Sequence, residues 1–319
     1  MKYFITGGTG TLGKALSKKL QSQGHEVVVF SRDEGKQALS YGNTDIKCII
    51  GDIRDYDKVD VSLKRHKPDI ILHTAALKRI DDMEFYPDEC VKTNIQGSEN
   101  VAKAALNNNI SKCMLISTDK ACQPVNVYGS SKFIAERIFT NYDYHSENTI
   151  FSSVRYGNVI ASRGSFIPLW LDLLERGENI KVTSLEMTRF LFTLDDAVAA
   201  VLGAVDNCNG GDVFIPQISS FNMRTIISAI EEIHGSKINY DLIGLRPGEK
   251  LHEDMLAETE LPFTYDVEGI NLLCVRPQYT KRSYNNMWKK YNGPHFNSSL
   301  WIKESTGELT ELIQKGLKC

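Results

Sequence analysis

Glycines at positions 7, 10 and 13 of "TGGTGTLG" leave few choices of fold, because they fall where the apolar run "KYFITGG" meets the helical pattern "TLGKALSKKLQSQG". Gly7 permits a tight turn, Gly10 lets the backbone approach a pyrophosphate, and Gly13 lets the helix pack on the strand. The helix start adds free N–H groups and a positive dipole end. Thr9, Thr11 and Leu12 fill out the turn, and the whole loop reads as the phosphate cradle of a dinucleotide.

The alternation continues beyond the first turn. "HEVVVFSR", "IKCIIGDIR", "PDIILHTAA", "SKCMLIST" and "TIFSSVRYGNV" read as further strands, rich in Ile, Val and Phe and closed by Gly, Asp, Ser or Thr. In the first helix Leu12, Leu16 and Leu20 share a face, with Gly24 at its end. This pattern predicts an α/β, Rossmann-type doubly wound parallel sheet. After about residue 160 it changes to the helices "SFIPLWLDLLERG", "TLDDAVAAVLGAVDN" and "MRTIISAIEEIHG", with only "DVFIP" clearly strand-like. The expected division is a cofactor domain over 1–160 and, over 161–319, a smaller, mostly helical substrate lobe with a polar tail, some segments returning to the first domain. The tail reads as a surface wrap or a contact to a partner subunit.

Composition narrows the function. With 319 residues, 42% hydrophobic and a net charge of −3, the chain has ample core and no basic footprint for nucleic acid. The seven cysteines show no CxxC and no His at ligand spacing, so reduced thiols and no metal site are expected. A core strand begins at once, leaving no room for a secretory leader, and no apolar run nears the roughly 20 residues of a membrane span. A cytoplasmic enzyme is the expectation.

The second strand ends in Ser31 and Arg32, where an NAD site usually carries a carboxylate for the ribose 2′-hydroxyl. A hydroxyl and a guanidinium fork suit a 2′-phosphate, Asp33 comes one place late, and Lys36 adds charge, so NADP is favoured over NAD. The alternative is a solvated charge cluster. Asp52, followed by Ile53, ends the third strand, where a carboxylate accepts from an adenine amino group. Ala75 and Ala76 let the dinucleotide lie close to the fourth.

The stretch "STDKACQPVNVYGSSK" carries the chemistry. Thr118 sits at the carboxyl end of the fifth strand, where α/β sheets bind ligands. Tyr128 and Lys132 follow at i, i+4 on one helix face, with the ammonium favouring the phenolate that takes a proton from a sugar hydroxyl. Lys132 can also hold the nicotinamide ribose. A plain dehydrogenase needs no more than these two, yet Asp119 and Lys120 stand side by side upstream. Once a hexose is oxidised at C4, its C5 proton is acidified, and loss of water across C5–C6 needs one acid and one base close together. The alternative for Asp119 and Lys120 is an ion pair on a surface loop.

With "GDIRD", "HTAA", "TN" at Thr93–Asn94 and the Tyr-Lys pair, the chain resembles the extended short-chain dehydrogenase/reductase family. Through "AALKRIDDMEFYPDECVKTNIQGSENV", "STDKACQPVNVYGSSK", "SVRYGNVIASRGSFIP", "MTRFLFTLDDAV" and "GLRPGEKLHE" it is similar to the inverting UDP-N-acetylglucosamine 4,6-dehydratases that open pseudaminic acid synthesis. The resemblance implies Asp119 as the acid at O6, Lys120 as the base at C5, and Tyr128 as the group that handles the C4 hydroxyl and returns a proton to C5. It also implies Lys78 pointing into the site and Asn94 as a cofactor residue. Asn158 would meet the diphosphate, while Arg189, Arg246 and Glu249 would grip the nucleotide. Some relatives carry Met in place of Tyr128, which puts this chain nearer the pseudaminic branch. "SRGSF" forms a plain Gly-Ser turn, as in those relatives. A homo-oligomer, dimer or hexamer, is implied as well. C5-retaining dehydration, another nucleotide sugar, C4 epimerisation and a non-catalytic NADP-sensing role stay open.

Overall fold

The computed structural model describes residues 1–162, 164–284 and 288–318, so Arg163 of "SRGSF" and the last cysteine, Cys319, lie outside the described residues. The first half runs β1 (Lys2–Thr6), α1 (Thr11–Ser22), β2 (Glu26–Ser31), α2 (Glu34–Tyr41), β3 (Lys47–Ile50), α3 (Tyr56–His66) and β4 (Ile70–His73). It continues through α4 (Ile80–Phe85), α5 (Pro87–Cys90), a π-helical turn (Val91–Gln96), α6 (Gly97–Asn107), β5 (Lys112–Ile116), a 3₁₀ turn (Asp119–Ala121), α7 (Val127–His145) and β6 (Ile150–Val154). The second half holds β7 (Asn158–Val159), α8 (Phe166–Glu175), β8 (Ile180–Val182), β9 (Thr188–Phe192), α9 (Leu194–Asn207) and β10 (Val213–Pro216). It closes with β11 (Ser220–Asn222), α10 (Met223–His234), β12 (Tyr240–Leu242), β13 (Asp254–Leu256), β14 (Thr264–Asp266), β15 (Leu272–Val275), β16 (Lys289–Lys290), β17 (Phe296–Asn297) and α11 (Thr306–Leu317).

Among the described residues, the main sheet is ordered β16-β14-β15-β10-β6-β5-β4-β1-β2-β3. The strands from β6 to β3 are all parallel, with Ile5 of β1 beside Val29 of β2 and Leu72 of β4. Successive residues of each strand face opposite layers. Phe4, Val28 and Leu115 pack with Phe139 and Phe151 on one face, and Ile5, Val29 and Leu72 pack with Leu16, Val201 and Phe214 on the other. Strand order reverses between β1 and β4, which opens a crevice at their carboxyl ends, the place where sheets of this kind bind ligands. Further along, β10 joins parallel to β6, and β15 and β14 add antiparallel strands.

Three sequence readings are corrected. "TIFSSVRYGNV" is not one strand: β6 stops at Val154 and β7 pairs with β9 in a separate small sheet. The break follows from Arg155, which turns inward onto Glu136 and Glu260, each at 2.8 Å. "DVFIP" is also not alone in the second half, since Thr188–Phe192 and Leu272–Val275 are strands buried along their whole length. Lastly, the tail is part of the fold rather than a surface wrap. Arg282 holds the Asp143 carboxylate at 3.0 Å, and Leu309 and Ile313 of α11 are buried against Ile226 and Ile230 of α10. No helix among the described residues is long and apolar enough to cross a membrane. No group of His, Cys, Asp and Glu among them could hold a metal ion.

Candidate active site

The crevice is a cleft of about 850 Å³ that runs from the glycine turn, past the end of β5, to α8, β8 and β9. At its first end, Gly7 has φ +67° and donates to the Phe30 carbonyl at 2.8 Å. A Cβ at Gly7 would strike the Ala75 backbone at 2.7 Å, and one at Gly13 would strike Gly8 Cα at 2.6 Å. The turn is therefore wound as tightly as glycine allows. Helix α1 starts after Gly10 with no side-chain cap, and its positive dipole end faces the cleft. Thr9, Thr11 and Leu12 line the cleft there, with Ala75 and Ala76 opposite.

Ser31, Arg32, Lys36, Asp52 and Ile53 line the next section. Asp33 is already engaged, since it caps α2 by accepting from the Lys36 backbone at 2.9 Å and pairs with Lys36 Nζ at 2.8 Å. Asp52 accepts from Arg54 at 2.7 Å, and the Arg32 guanidinium stands 3.7 Å away with 55% of its side chain exposed. An uncapped helix start, a glycine cradle and an exposed guanidinium beside the adenosine end fit a dinucleotide.

Beyond β5, the catalytic candidates converge. Asn126 caps α7 by accepting from Gly129, which places Tyr128 and Lys132 on the cleft wall. Burial pushes the Tyr128 phenol up to about 12, against the pull of the Lys120 charge. Burial also brings Lys132 down to about 8, against the opposing pull of Glu136. The 3₁₀ turn holds Asp119 fully buried. Its Oδ1 accepts from Thr118 Oγ1 at 2.8 Å, from the Lys120 backbone at 2.9 Å and from Lys120 Nζ at 3.1 Å. Burial, opposed by Lys120 and reinforced by the Glu253 charge, holds the Asp119 carboxyl above its ordinary range. For Lys120 burial disfavours the charge, but Asp119 and Glu253 outweigh it and keep the ammonium well above the usual lysine range. Asp119 and Lys120 thus form an ion pair inside the cleft and not on a surface loop.

At the far end, Lys78, Asn158, Arg189, Arg246 and Glu249 all line the cleft. Arg246 grips Glu249 at 2.6 Å and Asp81 at 2.9 Å, and Asn126 donates to the Gly248 carbonyl at 2.7 Å. These contacts tie the "RPGEK" loop to α4 and to the start of α7. Asn94 departs from the expectation, because it does not reach the cleft. It is fully buried in the π-helical turn, accepts from Leu77 N at 2.8 Å, and donates to Leu77 O and Ser131 Oγ. Among the lining residues that went unread in the sequence are Tyr156 and Glu253. Glu253 lies in the quoted "GLRPGEKLHE", and a buried acid there is the signal that could have singled it out.

The chain matches the family described as "Polysaccharide biosynthesis protein" over residues 3–274. It belongs to that family. It is 34% identical over 328 aligned positions to the UDP-N-acetylglucosamine 4,6-dehydratase (inverting) of Campylobacter jejuni, covering 97% of this chain and 96% of the relative. It is 40% identical over 275 residues to the UDP-glucose 4-epimerase of Rickettsia prowazekii, covering 83% and 80%. The X-ray structure of Pen from Bacillus thuringiensis matches with a TM-score of 0.90 at 34% identity, covering 98% of this chain and 97% of that one. The Rossmann-type fold and the kinship with inverting 4,6-dehydratases read from the sequence are both borne out.

Proposed function

We propose that this family member is an NADP-dependent UDP-N-acetylglucosamine 4,6-dehydratase that inverts C5. The observation that carries the reading is the contact of Asp119 with Lys120, 3.1 Å apart, buried in the same cleft as Tyr128 and Lys132. Burial and charge hold Asp119 toward its protonated form, as an acid at O6 requires. The glycine cradle would hold the pyrophosphate, Arg32 the 2′-phosphate, and Lys132 the nicotinamide ribose. When bound, NADP supplies the means to oxidise C4 and later to reduce C6. Tyr128 takes the C4 hydroxyl proton, with the Lys120 charge favouring the phenolate. The C4 ketone acidifies C5–H, which Lys120 removes. Asp119 protonates O6, and water leaves. Tyr128 then returns its proton to C5. Asn158, Arg189 and Arg246 would meet the diphosphate and nucleotide, with Glu249 fixing Arg246. The product is a UDP-2-acetamido-2,6-dideoxy-4-keto-hexose, suited to surface-glycan or nonulosonic acid synthesis.

The similarity to a UDP-glucose 4-epimerase favours a second reading, C4 inversion without loss of water. That reaction has no use for a buried acid and amine beside C5 and C6. Incubation with UDP-N-acetylglucosamine in deuterated water, followed by NMR, tests both. The proposed activity gives a 6-deoxy-4-keto sugar with deuterium at an inverted C5. An unlabelled C4 epimer with O6 retained would overturn it, and a labelled product of unchanged C5 configuration would overturn inversion alone.

A further inference from the structure

Lys120 cannot remove a proton from C5 while it carries three of its own. Its ammonium is held by two buried carboxylates, Asp119 at 3.1 Å and Glu253 at 3.1 Å. Asp119 is committed as the acid for O6, so it cannot also relieve Lys120 before elimination. Glu253 is otherwise unassigned. It comes from the far lobe, its side chain is only 3% exposed, and it faces the cleft beside Lys120. Its Oε1 takes the Lys120 contact, while its Oε2 has no hydrogen-bond partner among the described residues. The placement is built from the backbone outward. Glu253 N donates to Ser298 Oγ at 2.8 Å, and Ser298 N donates back to the Glu253 carbonyl at 2.8 Å. Ser298 Oγ lies 2.6 Å from Thr188 Oγ1. A residue of the tail therefore fixes the backbone from which this carboxylate reaches the amine.

We propose that Glu253 is the positioning residue that takes up the Lys120 proton and frees the amine to act at C5. The proposal rests on the dehydratase reading. In the first step an N–H bond of Lys120 breaks and an O–H bond forms on Glu253 Oε1, leaving the net charge of the cluster unchanged. The free amine then takes the C5 proton, and the C5–H electron pair passes into the enolate of the C4 ketone. That pair expels O6, which leaves as water with the proton of Asp119. The proton gained by Lys120 crosses to Asp119 Oδ1, restoring the acid, and Glu253 returns its proton to Lys120, restoring the ammonium that faces Tyr128 in the next turnover. Every proton is accounted for within Asp119, Lys120, Glu253 and Tyr128.

The charged and titratable groups facing the pair are Asp119 from the 3₁₀ turn, Tyr128 from α7, Arg189 from β9, and Lys250 ahead of β13. Burial works against ionisation of Glu253, but Lys120 and Arg189 outweigh it and hold the carboxyl below its ordinary range. In the resting state the proton therefore sits on Lys120, and moving it to Glu253 is part of each turnover.

The test is the pH dependence of kcat for the holoenzyme on UDP-N-acetylglucosamine, run with C5-protonated and C5-deuterated sugar so that C5–H cleavage is the step read. In the unaltered enzyme the proton moves internally, so kcat should be flat across the neutral range. Glu253→Gln keeps the shape and the acceptor but cannot take a proton. Lys120 must then lose its proton to solvent, so kcat should fall at neutral pH and rise about tenfold per pH unit toward alkaline pH, with KM unchanged. Glu253→Asp should restore the flat profile. A Glu253→Gln rate lowered by one factor at every pH marks a merely structural role and overturns the proposal. A tenfold rise per unit in the unaltered enzyme overturns it even if no variant folds. Absence of any dehydrated sugar from the unaltered enzyme instead removes the dehydratase reading, and this proposal with it.

Discussion

Gly129 packs its Cα against the carbonyl oxygen of Lys120, so closely that a Cβ would overlap it. This contact joins the two halves of the candidate chemistry, since Gly129 follows Tyr128 on α7 and Lys120 sits on the 3₁₀ turn. Two effects compete in Gly129→Ala. Alanine in a helix is favoured over glycine by up to about 1 kcal/mol. Forcing a methyl against fixed backbone costs about 1–3 kcal/mol, so the clash wins. The variant should melt several degrees lower and lose turnover as Tyr128 and Lys120 part, while retaining dinucleotide affinity at the distant cradle. A calorimetric scan and a cofactor titration check both.

The cofactor preference turns on Arg32. Its guanidinium is 3.7 Å from Asp52 and half exposed, so it is available to a phosphate, whereas Asp33 is occupied by Lys36. A charge-assisted hydrogen bond contributes about 1.5–3 kcal/mol, so NADP should bind at least about tenfold more tightly than NAD. Arg32→Glu should reverse the order. Equal dissociation constants in the unaltered protein would refute this.

How legible was all of this in the sequence? The glycine turn and the Tyr128–Lys132 pair are local, and local spacing found them. Glu253 approaches Lys120 only because β13 packs beside the 3₁₀ turn, a long-range fact that spacing does not carry. Asn94 went the other way: its motif was legible, but the π-helical turn carries the side chain to Leu77 rather than to the cleft. Thr188–Phe192 and Leu272–Val275 escaped notice because both faces are buried, which removes the alternation that marks a half-buried strand. The tail reads as polar because its anchors are polar, Arg282 on Asp143 and Ser298 on Glu253.

Asp212 makes stability fall as pH rises. Its side chain is buried, accepts from Asn209 N at 2.7 Å and Gly210 N at 2.9 Å, and has no hydrogen-bond partner on Oδ1 among the described residues. Burial raises it from the ordinary 3.8 to about 6. A carboxyl raised on folding binds its proton more tightly in the folded state, so its contribution is full below the unfolded value and lost as pH climbs through the folded one. The difference of roughly two pH units is worth about 3 kcal/mol. Asp212→Asn should therefore gain stability relative to the parent on going from weakly acidic to neutral pH. Urea midpoints that stay parallel across that range would refute it.

Assembly is expected through the helices after β4 and β5, around residues 90–106 and 128–142. Val91, Phe133 and Ile134 are about 40% exposed on these helices. Covering the exposed two-fifths of each is worth about 0.6–1.2 kcal/mol, which favours a homo-oligomer. Light scattering at micromolar concentration should give a dimer or larger, and Ile134→Glu should shift it toward monomer. A monomeric mass in the unaltered protein refutes the expectation.

The decisive substitution for the chemistry is Lys120→Ala. Tyr128 and Lys132 remain on α7, so oxidation at C4 should survive. The variant should stall there, with the near-ultraviolet absorbance of reduced nicotinamide and no dehydrated sugar. Removing a general base costs about 10²–10⁴ in rate, so turnover should nearly vanish while the first half-reaction persists. Asp119→Asn should stall in the same way, since it preserves shape but cannot protonate O6. Tyr128→Phe should block even C4 oxidation. Tyr128→Phe therefore separates proton removal at C4 from the elimination step, for which Lys120→Ala and Asp119→Asn each remove one partner. If Lys120→Ala dehydrates at close to the parent rate, its contacts with Asp119 and Glu253 are structural, and the reaction must draw its C5 base from elsewhere in the cleft.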